Sequence, residues 1–146
     1  MTGAQRKNVL FLCTGNSCRS QIAEGWTKHL KRAQFEPYSA GVKVKGVDPR
    51  AVKAMAEAGI DISEQSSKMI DDLPDVEFDY VITLCDHARE SCPFFPAKTR
   101  VMHAGFEDPP ELAKNASDEE EAMRHYRKIR DEIKAFIESL PDALLK

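Results

Sequence analysis

The chain has 146 residues and a mass of 16.4 kDa, and 42% of its residues are apolar and 31% charged. This length predicts one domain over residues 1–146 that needs no disulfide or metal to hold it together, and the composition argues against disorder. With 21 basic and 24 acidic residues, the chain offers no general attraction to nucleic acid or an anionic membrane, and no apolar run is long enough to span one.

Strand and helix signals alternate from the start of the chain. The apolar run at 8–12 predicts a buried strand, and turn-forming residues follow at 13–17. Apolar residues at helical spacing predict a helix over 22–33. Residues 35–40 then predict a second strand, closed by Gly41.

The middle of the chain carries clear start and stop signals for a second helix. Asp48 is a favourable N-cap, Pro49 suits the first helical position, and Gly59 is a favourable stop. Beyond this helix, the apolar runs at 78–85 and 99–102 predict the third and fourth strands.

The final predicted helix begins at a capping box formed by Ser117 and Glu120, and its apolar residues recur every three or four positions over 122–140. Strands alternating with helices predict an α/β fold of three layers, with a four-stranded parallel sheet in the flavodoxin-like order 2-1-3-4. Ligands bind such sheets at the carboxyl ends of the strands, where the winding reverses. Cys13 and Cys85 fall at the ends of the two strands that flank this reversal.

The segment after the first strand has the pattern C-x5-R-S, from Cys13 to Arg19 and Ser20. Successive backbone N–H groups in such a turn can surround a tetrahedral oxyanion, and the next helix adds the positive end of its dipole. Arg19 can bind two oxygens, Cys13 is placed as a nucleophile, and Ser20 can donate to its thiolate. The predicted oxyanion-binding residues are Thr14, Gly15, Asn16, Ser17, Cys18, Arg19 and Ser20.

For three residues inside this loop, the residue type predicts a specific conformation or environment. Gly15 and Asn16 are residue types that tolerate positive φ angles. Cys18 suits a small buried apolar position at the helix start. The loop is not a nucleotide site of the G-x-x-x-x-G-K type, because no lysine follows a glycine there. Chance occurrence of the pattern is the remaining alternative.

Residues 9–20 resemble the phosphate loop of the low-molecular-weight protein tyrosine phosphatase superfamily, whose two main branches are phosphatases and thioredoxin-coupled arsenate reductases. The resemblance covers nearly the whole chain. Segments that resemble the reductase branch are residues 23–26, 38–41, 46–49 and 105–109. The resemblance implies the same α/β fold and a loop of the phosphatase type.

Cys85 and Cys92 resemble the redox pair of the reductase branch, which the phosphatases lack. The resemblance implies that Cys13 attacks arsenate, that Cys85 displaces arsenite, and that Cys92 resolves the resulting disulfide. If residues 85–92 were helical, the two Cα atoms would lie about 10 Å apart, beyond the ~4.4–6.8 Å of a disulfide, so this segment should change conformation on oxidation. The alternatives are a zinc site that includes His87, or two buried thiols without a function.

Asp108, followed by Pro109 and Pro110, matches the Asp-Pro general acid of the superfamily, which protonates the departing oxygen. The alternatives are an ordinary Asp-Pro turn and the neighbouring Glu107. The phosphatases usually continue with a tyrosine, so Pro110 favours the reductase branch.

Some members of the superfamily hold a potassium ion beside the loop. They use residues that match Asn16, Glu24 and Ser39, together with an aspartate in the segment at 66–68. Lys68 stands at that aspartate position, so its ammonium is expected to replace the ion. The alternative is a lysine that is simply solvated.

Together, the residues and the resemblance imply a cytoplasmic arsenate reductase for arsenate detoxification, without a bound cofactor or metal and with thioredoxin as its external reductant. Phosphate and sulfate should compete with arsenate, and a weak phosphatase side activity is expected. We expect a monomer with no nucleic-acid or membrane partner. One rival is a phosphomonoester phosphatase that uses only Cys13, Arg19 and Asp108. The other is a non-enzymatic oxyanion or thiol-redox sensor.

Overall fold

The computed structural model describes residues 6–90, 95–96 and 98–142. Four parallel strands form one sheet in the order β2-β1-β3-β4, as predicted. The strands are β1 (Lys7–Cys13), β2 (Phe35–Gly41), β3 (Tyr80–Thr83) and β4 (Arg100–His103). The predicted α/β class and strand order are therefore confirmed.

Five α-helices within the described ranges connect and cover these strands: α1 (Arg19–Leu30), α2 (Pro49–Glu57), α3 (Asp86–Glu90), α4 (Pro109–Leu112) and α5 (Glu119–Glu138). Short 3₁₀ turns lie at Ile70–Asp72 and Ala113–Asn115. Helix α5 packs against α1 and α2, and α3 contacts β1 and β3. No helix of the described ranges is both long and apolar enough to cross a bilayer.

The central strand β1 carries the core of the domain. Val9, Leu10 and Phe11 are fully buried, because β1 pairs with β2 on one side and β3 on the other. On α5, Ile129 and Ile133 are also fully buried, as the periodicity predicts. Burial of each such side chain stabilises the fold by about 1.5–3 kcal/mol relative to exposure.

Helix α2 begins as predicted and α5 begins one residue later than predicted. The Asp48 carboxylate accepts a hydrogen bond from the Arg50 N–H at 2.9 Å, with Pro49 at the first helical position. The prediction of Ser117 as the N-cap of α5 is wrong: Asp118 is the cap, and its carboxylate accepts from the Glu121 N–H at 2.8 Å. A full negative charge at the positive helix terminus makes the aspartate the stronger cap.

Two of the predicted elements are longer than those in the structure. Strand β3 covers Tyr80–Thr83 instead of 78–85, because the ladder with β1 ends at Thr83 although the apolar run continues. Helix α1 ends at Leu30 instead of residue 33. Apolar character reports burial, while strand limits depend on pairing between distant segments.

Candidate active site

A cavity of about 110 Å³ opens where β1 runs into α1. Cys13 is the last residue of β1, and Arg19 is the first residue of α1. Residues of the loop between them line the cavity together with Lys45, Asp108 and Pro110. The site therefore lies at the carboxyl end of the central strand, where the winding of the sheet predicts it.

The backbone of the loop directs its carbonyl groups away from this cavity. Hydrogen bonds from the segment at 42–48 and from the Gln21 side chain reach four successive carbonyl oxygens, those of Thr14, Gly15, Asn16 and Ser17. The C=O and the following N–H of a trans peptide point in opposite directions, so the amides of residues 15–18 face the other side. Within the described residues, none of these amides donates to a protein acceptor. They can therefore bind the oxygens of an anion.

Asn16 shapes the loop through both its backbone and its side chain. It is fully buried and has a φ of +49°, the left-handed conformation. Its amide Nδ2 donates to Ser20 Oγ at 2.8 Å, and its Oδ1 accepts from the Lys68 N–H at 2.8 Å. The expectation of positive φ is confirmed for Asn16. Gly15 does not have a positive φ.

The end of β2 approaches the loop so closely that it has no room for a side chain. A Cβ at Gly41 would lie 2.7 Å from the Asn16 nitrogen and 2.8 Å from the Thr14 carbonyl oxygen. Gly41 is also the register partner of Cys13 in the β1–β2 ladder. The glycine that closes the predicted second strand thus allows the loop to pack on β2.

The candidate nucleophile lies in a buried environment with one polar neighbour. Cys13 is 3% exposed, and its Sγ lies 3.0 Å from Ser20 Oγ. Because Ser20 Oγ accepts the hydrogen bond from Asn16, its own hydrogen is free to point at the sulfur. This arrangement supplies a donor that would stabilise a Cys13 thiolate.

Arg19 is held by its two terminal nitrogens, while its Nε–H remains unpaired. Its Nη1 donates to the Phe106 carbonyl at 2.9 Å, and its Nη2 lies 3.6 Å from Asp108 Oδ1. The Nε atom is buried and has no hydrogen-bond partner among the described residues. An unpaired buried donor is costly, and a tetrahedral oxyanion in the cavity would satisfy it.

Asp108 reaches the cavity from the loop after β4. It is the N-cap of α4, but its side chain makes no capping hydrogen bond and is 41% exposed. The rival Glu107 instead pairs with Lys128 at 3.4 Å and does not line the cavity. Of the two carboxylates, only Asp108 is available for proton transfer to a bound oxyanion.

Cys85 lies next to the loop, immediately after β3. It is 8% exposed, and its Sγ lies 3.2 Å from Thr14 Oγ1 and accepts from the Ala88 N–H at 3.4 Å. The structure thus brings the second predicted thiol to the residue that follows Cys13. Cys92 and the side chain of His87 lie outside the described residues, as do the expectations that depend on them.

Cys18 occupies the position before α1 and is 2% exposed. Burial raises the pKa of the Cys18 thiol well above its usual value, and Asp48, Cys13 and Asp108 raise it further, while Arg19 opposes the shift. This thiol therefore remains neutral and is a poor nucleophile. Its environment fits the predicted role of a small buried apolar residue.

Three residues that complete the site were not predicted from the sequence. Lys45 lines the cavity, Gln21 Nε2 donates to the Asn16 carbonyl at 2.9 Å, and Ser67 Oγ donates to the Gly15 carbonyl at 3.0 Å. Gln21 follows the C-x5-R-S pattern directly, and its position in the first turn of α1 is the one available signal. The other two come from irregular segments without periodicity.

Comparison with known proteins places this geometry in a family. Residues 8–146 match the family described as low molecular weight phosphotyrosine protein phosphatase. The chain is 51% identical over 130 residues to an arsenate reductase of Bacillus licheniformis, covering 88% of this chain and 90% of that one. A solved structure described as an arsenate reductase in the phosphate binding state aligns with a TM-score of 0.73 at 33% identity, covering 92% and 95% of the two chains.

A second solved structure represents the phosphatase branch. The low molecular weight protein tyrosine phosphatase from T. tengcongensis aligns with a TM-score of 0.73 at 27% identity, covering 94% of this chain and 99% of that one. The same fold thus serves proteins named for two different activities. By sequence and by structure, the chain belongs to the low molecular weight phosphotyrosine protein phosphatase family.

Proposed function

We propose that this protein is a cytoplasmic arsenate reductase that serves arsenate detoxification, with thioredoxin as external reductant and no cofactor of its own. The observation that carries the proposal is the second thiol, Cys85, held 3.2 Å from the hydroxyl of Thr14, the residue next to Cys13. A phosphatase needs no thiol there. The 51% identity to the relative named arsenate reductase supports the same choice.

The first step is the capture of arsenate. The amides of residues 15–18 and the Arg19 guanidinium bind three oxygens, and the Cys13 thiolate attacks the arsenic. An S–As bond forms while an As–O bond breaks. Asp108 gives its proton to the departing oxygen, which leaves as water. Preorganised donors in a small, mostly buried cavity stabilise the charge that develops on the remaining oxygens.

The second step transfers two electrons to arsenic. The Cys85 thiolate attacks Cys13 Sγ, so that an S–S bond forms and the S–As bond breaks. The electron pair of that bond stays on arsenic, which leaves as arsenite. Cys92 then attacks Cys85, which releases the Cys13 thiolate, and thioredoxin reduces the remaining disulfide by thiol–disulfide exchange.

Phosphate and sulfate share the tetrahedral shape and negative charge of arsenate, so the loop amides and Arg19 should bind all three. Phosphorus does not accept the electron pair under these conditions, so phosphate occupies the site without being reduced. We therefore expect phosphate to act as a competitive inhibitor and phosphomonoesters to be hydrolysed weakly.

The test is NADPH consumption by the purified full-length protein with thioredoxin, thioredoxin reductase and arsenate, with phosphate in place of arsenate as the blank. The proposal predicts sustained consumption far beyond one equivalent of enzyme. Cys92→Ser should stop turnover, while the control Arg50→Lys, at an exposed ion pair, should not. Consumption that ends at one equivalent would indicate a sensor, and efficient aryl phosphate hydrolysis that survives Cys92→Ser would indicate a phosphatase.

A further inference from the structure

A lysine ammonium lies beside the oxyanion loop, among oxygen atoms. Lys68 Nζ donates to the Ser66 carbonyl at 2.7 Å and to the Ser39 carbonyl at 3.2 Å. Burial lowers the pKa of Lys68, and the nearby Glu24 carboxylate opposes this shift. The ammonium is therefore partly desolvated and is held by two carbonyl oxygens and a neighbouring negative charge.

The Glu24 carboxylate is the acidic centre of this cluster. It is 7% exposed, accepts from Ser39 Oγ at 2.5 Å, and pairs with Lys28 Nζ at 2.7 Å. A carboxylate this deeply buried needs compensation by positive charge. Lys28 provides it from the same helix, and Lys68 provides it from a segment far along the chain.

The backbone of Lys68 is linked to the nucleophile by a short series of hydrogen bonds. The Lys68 N–H donates to Asn16 Oδ1 at 2.8 Å, and Asn16 Nδ2 donates to Ser20 Oγ at 2.8 Å. Ser20 Oγ in turn lies 3.0 Å from Cys13 Sγ. The carbonyl of Lys68 accepts from the Gly41 N–H at 2.9 Å, which fixes this segment to the end of β2. A displacement of Lys68 would therefore change the position of the Ser20 hydroxyl, which faces the Cys13 thiol.

The oxygen atoms around Nζ would suit a monovalent cation if they were free. Carbonyl and carboxylate oxygens are the ligands that hard cations prefer. Here the hydrogens of the ammonium already engage two of them, so a free cation would lie beside a positive charge. The residues present do not fit the potassium ion that the family resemblance implies.

We propose that the Lys68 ammonium acts as a built-in cation for the oxyanion loop and as a positioning residue for Cys13. It takes the place of a dissociable monovalent ion, so the loop is complete without potassium. The inference concerns the loop itself and can hold whether or not the protein reduces arsenate.

The test compares melting temperatures of the reduced full-length protein in potassium chloride and in choline chloride at equal ionic strength. Wild type should melt within about 1 °C in the two salts. Lys68→Ala removes the ammonium and leaves its place open, so in choline chloride the variant should melt at a lower temperature than wild type. In potassium chloride, at ten times the dissociation constant of the variant for potassium, its melting temperature should rise by about 3 °C or more. The control Lys98→Ala removes an exposed lysine that pairs with Glu77 before β4, outside this cluster, and should show no difference between the salts.

A second readout follows the thiol itself. The rate at which iodoacetamide alkylates Cys13, resolved by peptide mass spectrometry, should fall about threefold or more in Lys68→Ala in choline and recover in potassium. Lys98→Ala should match wild type in both salts. A lysine that only packs against its neighbours would leave this rate independent of potassium.

Three results would overturn the proposal: a wild type stabilised by potassium over choline, a Lys68→Ala variant that behaves alike in both salts, or a salt-dependent Lys98→Ala. If Lys68→Ala does not fold in either salt, the melting temperature of Lys68→Gln tests the proposal instead. It keeps a donor but carries no charge, so it should melt below wild type, and a wild-type melting temperature would show that the charge is not needed.

Discussion

The Thr14 hydroxyl oxygen lies 3.2 Å from the Cys85 sulfur, so the second thiol is tethered to the residue that follows the nucleophile. Thr14→Val keeps the shape of this side chain and removes its hydroxyl. Loss of a hydrogen bond to a thiolate costs about 1–2 kcal/mol, so formation of the Cys13–Cys85 disulfide in a single turnover with arsenate should slow about tenfold.

The control for Thr14→Val is phosphate affinity, because the loop amides and Arg19 do not involve the threonine hydroxyl. Isothermal titration should give a dissociation constant within about twofold of wild type. A variant that forms the disulfide at the wild-type rate would show that the Thr14–Cys85 contact has no part in the transfer of electrons.

Arg19→Lys should weaken oxyanion binding even though the charge is kept. Lysine cannot reproduce the planar set of donors that Arg19 divides between Phe106, Asp108 and the cavity. We expect kcat/KM for arsenate to fall about 10–100-fold and phosphate affinity to fall in parallel, since charge-assisted hydrogen bonds contribute about 1.5–3 kcal/mol each. Arg50→Lys, at an exposed ion pair with Glu119, should leave both unchanged.

Gly41→Ala tests the close approach of β2 to the loop. The added Cβ would meet backbone atoms at 2.7–2.8 Å, which cannot move without displacing the loop. We expect a loss of about 1–3 kcal/mol in the free energy of unfolding, measured by urea denaturation. The comparison is Gly15→Ala, whose Cβ would meet the flexible Lys45 side chain, and which should lose less. Equal losses would contradict the assigned role of Gly41.

Tyr126→Phe tests the link between α5 and Asp48, the residue before α2 that contacts the oxyanion loop. The Tyr126 hydroxyl donates to Asp48 Oδ2 at 2.5 Å, and the Asp48 N–H donates to the Ser17 carbonyl at 2.9 Å. Removal of the hydroxyl should lower the free energy of unfolding by about 1–2 kcal/mol at pH 7. A variant as stable as wild type would show that the contact contributes nothing.

The stabilisation that the Tyr126 hydroxyl provides in wild type should also depend on pH in a defined direction. Burial, followed by the Asp48 carboxylate, raises the pKa of Tyr126 above its usual value. Because the folded-state pKa is the higher one, this stabilisation is fully present below the unfolded pKa of about 10 and is lost as the pH rises above it. The stability difference between wild type and variant should therefore shrink in urea titrations above about pH 10.

Local signals predicted most of what positions the site. The strand–loop–helix unit around Cys13, the cap at Asp48 and the left-handed Asn16 all follow from residue types that act within a few positions of the chain. Contacts between distant segments could not be predicted in this way. Lys45 reaches the cavity from an irregular loop, and the need for glycine at position 41 depends on the β1–β2 register.

The hydrogen bonds of Asp48 to Ser17 and Tyr126 have a consequence for the order in which the protein matures. The oxyanion loop and its nucleophile are translated early, but the hydroxyl that holds Asp48 belongs to Tyr126 in α5, which is translated 78 residues after Asp48. Domains generally complete their tertiary contacts only when the whole unit has left the ribosome. We therefore expect Cys13 to be accessible to solvent in a growing chain, and the ability to bind an oxyanion to emerge only once α5 has docked.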